Sequence, residues 1–181
     1  DIAVKTAAAF DRNVAVRSTG GSVAVETAAA QGSLSVSAKR DAAADTLAAE
    51  NVSVTADSLN LNGSVSGARV SLTAETEFLN KSATISADDL IVTAPAMRNE
   101  TALRSGDITL NLTGELYNAN KILAAGTLNI SAENIRNFGQ IAANGDISAD
   151  LTGYYVNHRD SGLLSGGDIR LSVGGNIVNY L

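Results

Sequence analysis

Residues 126–137 read GTLNISAENIRN, and most of the chain is a variation on this unit. A glycine opens a turn, Leu128, Ile130 and Ala132 alternate with polar positions, and Ile135 stands two places before Asn137. Alternation by two marks a short strand with one buried face, and the I-x-N that follows marks a corner leading into the next strand. Nothing in the unit is chemically reactive.

Working outward, the alternating apolar pairs begin at Val14, Leu34, Val52, Val70, Leu90, Ile108, Leu128, Ile147 and Ile169, 18 to 22 residues apart. An asparagine follows the second apolar element at Asn62, Asn80, Asn99, Asn118, Asn137, Asn157 and Asn179, with the same spacing. A third apolar series, Val65, Ile85, Leu103, Ile122, Ile141 and Leu163, fills the remaining gap. Each period of about 19 residues therefore holds three short apolar elements separated by turn-prone residues, which is the pattern of a solenoid. Leucine-rich repeats have a similar length but need L-x-x-L-x-L-x-x-N, which is absent. Helical repeats would space apolar residues by three and four. The reading is an all-β parallel β-helix of about nine triangular coils, which at about 4.8 Å per coil makes a rod of about 45 Å.

Composition agrees with narrow, repeated layers. The 181 residues are 45% hydrophobic but only 4% aromatic, with no Trp, so the core is built from Ala, Val, Ile and Leu. The absence of Cys excludes disulfides, thiolate metal sites and a thiol nucleophile. A formal charge of −6 argues against nucleic acid, which needs a basic patch. The one adjacent basic pair, Lys39 and Arg40, is followed at once by Asp41. No apolar run approaches the roughly 20 residues of a membrane span. The chain begins at Asp1 and carries no signal peptide, so the expectation is a segment of a longer protein, forming one repeat domain over 1–181. Repeats are clear over 52–181 and looser over 1–51.

Two stretches test the solenoid reading. Residues 37–50, SAKRDAAADTLAAE, have the propensity of a helix, yet Leu34 and Val52 are no farther apart than other repeats, so the stretch is assigned to a coil. Near the C-terminus the spacing widens, and the surplus falls on YYVNHRDSG, residues 154–162, where a protruding loop is expected.

The periodic asparagines invite two explanations. Facing inward at one corner, their amides can hydrogen-bond from coil to coil as a ladder. Alternatively, Asn62, Asn80 and Asn99 begin N-x-S/T sequons, as do Asn51, Asn111 and Asn129. Asn118, Asn137, Asn157 and Asn179 keep the period without a sequon, which favours the ladder.

Candidate chemistry is thin. His158, the only histidine, lies beside Asp160 and Ser161, but a triad needs groups converging from a scaffold, and no G-x-S-x-G occurs. Asp88 and Asp89 are adjacent on a strand and so point to opposite faces. They read as turn residues, like Gly106-Asp107, Gly145-Asp146 and Gly167-Asp168, whose spacing is not that of a calcium nonapeptide. No enzyme activity, cofactor or metal is expected. Tyr154, Tyr155, His158 and Arg159 form the one cluster suited to contacting a glycan or receptor, although tyrosines covering a coil end are the better fit to the pattern.

The pattern G-[DT]-[LI]-x-[LIV]-x-[ALV], then [ILV]-x-N and G-x-[IL]-x-[AS], stands here as GTLNISAENIRNFGQIAANGD and again as GDIRLSVGGNIVN. It resembles the haemagglutinin repeats of filamentous haemagglutinin-type proteins. The resemblance implies a right-handed β-helical filament on the surface of a Gram-negative bacterium, exported through an outer-membrane transporter by two-partner secretion. Relatives include adhesins and the toxin-carrying stalks of contact-dependent growth inhibition. Two readings of function are weighed, the first expected from this resemblance and the second its alternative on a β-helix scaffold. One is a stiff stalk that holds an adhesion or toxin module towards a host or target cell. The other is a glycan-binding or polysaccharide-acting module, which needs carboxylates or aromatics gathered on one face over successive coils.

Overall fold

The computed structural model describes residues 1–10, 12–158 and 161–180. These residues form nineteen strands and no helix, and the strands join in one sheet whose pairings are all parallel. The chain winds as a β-solenoid of about nine coils, about 19 residues apart, with three faces per coil.

Each apolar series of the sequence becomes one column of stacked side chains. On the first face, Phe78, Met97, Leu116, Ile135, Tyr155 and Ile177 follow one another in register. The second face stacks Val65, Ile85, Leu103, Ile122, Ile141 and Leu163. The third stacks Leu90, Ile108, Leu128, Ile147 and Ile169, with Val14, Leu34 and Val52 continuing the same column towards the N-terminus. Parallel strands in register keep identical faces in line, so one inward residue always meets another. In strand Leu128–Ala132, residues Leu128, Ile130 and Ala132 are buried while Asn129 and Ser131 face solvent. Three inward columns meeting at a short distance leave room for aliphatic side chains and few rings, which accounts for the aromatic-poor composition.

The helix-prone stretch is a strand. Asp41–Ala48 pairs with Val23–Ala30 on one side and with residues 58–66 on the other, burying Ala42, Ala44 and Leu47. Its alanines have high helix propensity, but a coil supplies two parallel neighbours and a buried face, which outweigh a propensity of a few tenths of a kcal/mol per residue.

The wider spacing near the C-terminus is present, with Ile147 in register with Ile169, but the loop reading of residues 154–162 is corrected where it took in Tyr155–Asn157. Tyr155–Asn157 is a strand in register with Asn134–Asn137, and Gly162–Ser165 is the next strand. Between these strands only His158 and Ser161 are described, and Arg159 and Asp160 lie outside the described residues.

Candidate functional site

The corner after the first face carries the most distinctive polar chemistry of the molecule. Six asparagines point inward there and join amide to amide. Asn80 Nδ2 donates to Asn99 Oδ1 at 2.9 Å, Asn99 to Asn118 at 2.8 Å and Asn118 to Asn137 at 2.8 Å. Asn137 donates to Asn157 at 3.0 Å and Asn157 to Asn179 at 3.1 Å. The second amide proton closes the corner: Asn118 Nδ2 also donates to the carbonyl of Asn120 at 3.0 Å, and Asn157 Nδ2 to that of Ser161 at 3.0 Å. An amide is the side chain that fits, because it offers two donors and an acceptor without charge. Asn80, Asn99, Asn118 and Asn137 are fully buried, so the sequons at Asn80 and Asn99 have no room for a sugar.

Asn62 is not part of this ladder, which corrects the sequence reading. Its side chain is exposed, and the inward pair of its coil is Leu59 and Leu61. The Thr76 hydroxyl donates to the Asp57 carbonyl, 19 residues earlier, and the same step sets Leu61 in the coil before Asn80. The ladder therefore stops against an aliphatic side chain, and Asn80 Oδ1 is buried without a donor. The signal was present in the sequence: the ladder asparagines have a large apolar residue two places before them, whereas Asn62 has Asn60.

Tyr154 and Tyr155 are separated by the strand alternation. Tyr155 is only 5% exposed and occupies the core place held by Ile135 and Ile177 in the flanking coils, so it is no contact residue. Its hydroxyl reaches Asn157 Oδ1 at 3.1 Å, and burial pushes its pKa up. Tyr154 faces outward, where its hydroxyl donates to Glu115 Oε2 at 2.8 Å; that bond raises the phenol's pKa above its ordinary value. Arg136 pairs with the same carboxylate at 3.4 Å. Arg159 lies outside the described residues.

His158 belongs to a feature that the sequence reading missed. Phe138 stacks on the His158 ring with centroids 3.7 Å apart and planes 12° apart, and His158 stacks on Tyr180 at 5.0 Å. Tyr117 leans on the other side of Phe138 at 5.1 Å, and the Arg98 guanidinium caps Tyr117 at 4.5 Å. An exposed aromatic column thus runs beside the buried asparagine ladder. It was legible in part, because Phe138, His158 and Tyr180 each directly follow a ladder asparagine. Tyr117 precedes its asparagine instead, and only packing brings its ring against Phe138. Nearby, Arg98 donates to Glu100 at 2.5 Å, a bond that raises the guanidinium pKa. The Ser161 hydroxyl is turned to Asn157 Oδ1 at 2.8 Å rather than to His158's ring.

The Gly-Asp steps act between coils. Asp107 Oδ1 accepts from the Thr127 backbone N–H at 2.6 Å, and Asp146 Oδ1 from that of Asp168 at 2.9 Å. The backbone bond from Thr127 holds the Asp107 carboxyl below its ordinary pKa. Glycine precedes the acceptor's partner because a Cβ at Gly126 would collide with the Asp107 carboxylate. Asp89 is paired with Arg69 at 3.6 Å.

No family model matches the chain, and neither does any curated protein or solved structure.

Proposed function

We propose that this chain is a structural and adhesive segment of a Gram-negative surface filament, a stiff stalk of the haemagglutinin-repeat kind. Its work is reach: it holds an adhesion or toxin module away from the producing cell and towards a host or target cell. On this reading the parent protein leaves the cell through an outer-membrane two-partner transporter. The observation that carries the proposal is the stacking of three apolar columns beside a chain of amide hydrogen bonds, all parallel to one axis. Side chains directed along an axis resist bending and extension, and each added coil lengthens the rod by about 4.8 Å. Several polar side chains serve that architecture: His158 stacks between rings, Ser161 holds a corner, and Asp107 and Asp146 bridge coils.

The test is a length measurement. Deleting residues 52–180 from the parent exoprotein removes about seven coils and should shorten the surface filament by about 30 Å in electron micrographs, with export retained. A filament of unchanged length after the deletion rules the stalk reading out.

A further inference from the structure

The outer faces differ in what they offer a partner. The aromatic column suggests a sugar platform, but a sugar ring packs its C–H face against the face of an aromatic ring. Here those faces are taken: Arg98 covers Tyr117, Phe138 and His158 cover each other, and Tyr180 covers the far side of His158. The column presents edges to solvent. The third face is built differently. Between Ser33 and Thr109 its outward residues enclose a groove of about 470 Å³ running along the axis over five coils.

Side-chain size makes this hollow. Ser35 and Ser53 lie in register at its floor, followed in later coils by Ser71, Ile91 and Thr109, while Arg69 and Asp89 rise along one edge. Strand alternation turns these hydroxyls outward, and Ser35 and Ser53 are exposed. The groove holds little free charge. Arg69 is paired with Asp89 at 3.6 Å, and Asp107 has one oxygen committed to Thr127. An anionic polymer would meet two carboxylates and no unpaired cation among the lining residues. Ile91, 44% exposed, adds one aliphatic contact.

Hydroxyls that both donate and accept, an amide from Asn51, one aliphatic patch and near-neutral charge complement a chain of uncharged sugars. The floor positions follow one another at about 4.8 Å along the axis, so the groove is long and narrow, as a linear chain requires. We infer that the groove over Ser35, Ser53, Ser71 and Ile91 binds a linear, uncharged glycan lying along the rod axis. The inference goes beyond the stalk reading and does not depend on it, since a stalk without a ligand would still keep its length.

Calorimetric titration of the 181-residue chain with hexasaccharides of β-linked glucose, mannose and xylose tests it, with a heparin hexasaccharide as the anionic comparison. At least one neutral hexasaccharide should bind. Ser53→Tyr, which fills the hollow from the solvent side, should weaken that binding about tenfold or more. Ile91→Ser, a milder change, should weaken it less, and Tyr117→Ala should leave it unchanged. The site is overturned if no neutral hexasaccharide binds at millimolar concentration, or if heparin binds in preference. It is equally overturned if Ser53→Tyr and Ile91→Ser, both shown folded by denaturation, bind as the parent does. Loss on Tyr117→Ala alone would move the site to the first face.

Discussion

The N-terminal coils, up to Leu61, and the C-terminal coils, from Phe78 onward, have the same winding but turn the first corner by different means. In the N-terminal part the inward places at that corner hold Val4, Val25, Ala44 and Leu61, and the register links them directly. There the strands run through the corner: Ile2–Ala9, Val23–Ala30 and Asp41–Ala48 each belong to two faces. In the C-terminal part the same place is asparagine, and the strand stops on it, as in Ala96–Asn99, Glu115–Asn118, Asn134–Asn137, Tyr155–Asn157 and Ile177–Asn179. An apolar side chain asks nothing of the backbone, so the chain bends gradually. An amide must spend both protons, one on the next coil and one on a corner carbonyl, and the second bond makes the turn abrupt. The comparison shows that one repeat period tolerates two corner chemistries, provided each is repeated by its neighbours.

The strongest way to break the comparison is to place the N-terminal solution inside the C-terminal part. Asn118→Leu takes the acceptor from one Asn99 amide proton and leaves Asn137 Oδ1 with only the longer bond from the Gly139 N–H, at about 1–3 kcal/mol for each lost bond, so urea denaturation should show a loss of about 3 kcal/mol. Asn80→Leu is the matched control. It moves the ladder's existing unpaired end from Asn80 to Asn99 and should cost less than about 1 kcal/mol. Equal costs for the two would mean that the asparagines act singly and not as a ladder.

A smaller effect comes from close approach between coils. At Gly139 a Cβ would strike the Asn120 carbonyl, which belongs to the corner closed by the ladder, whereas at Gly20 it would meet open space. Gly139→Ala should destabilise the chain by about 1–3 kcal/mol and Gly20→Ala by less than about 0.5 kcal/mol. Thermal unfolding followed by circular dichroism separates them, and a neutral Gly139→Ala would refute the tight corner.

The smallest difference is in acid. The N-terminal bridge from Asn13 to the Ser33 N–H is neutral, but the C-terminal bridge from Asp107 to Thr127 is charged. Because the folded pKa of Asp107 is depressed, its contribution is present above the unfolded value of about 3.9 and is lost as pH falls through the folded one. Asp107→Asn should therefore flatten the fall of the urea midpoint on the acid side of about pH 4, with little change at pH 7. An unchanged acid slope would show that the bridge is not titrating.

Legibility followed the physics of each feature. The three apolar series could be found because a solenoid repeats its inward positions at fixed steps, and Leu128, Ile147 and Ile169 stack as their spacing requires. The ladder is legible wherever an apolar residue stands two places before the asparagine, and Asn62 keeps the period but has Asn60 in that place. Tyr155 was misplaced in a loop because the widened spacing was spread over all of residues 154–162, although the surplus falls after Asn157. The aromatic column and the groove escaped because both join outward residues about 20 positions apart, and outward positions carry no periodic hydrophobic signal.

By itself, the sequence determined the architecture of this protein: period, three elements per coil, inward columns and a core with few rings all follow from alternation, spacing and composition, which are properties of the chain alone. Only the tertiary structure decided where the ladder ends, which tyrosine faces the core, and what the outer faces gather. Those depend on which residues meet one coil away, and a shift of a single position reverses the face on which a side chain lies.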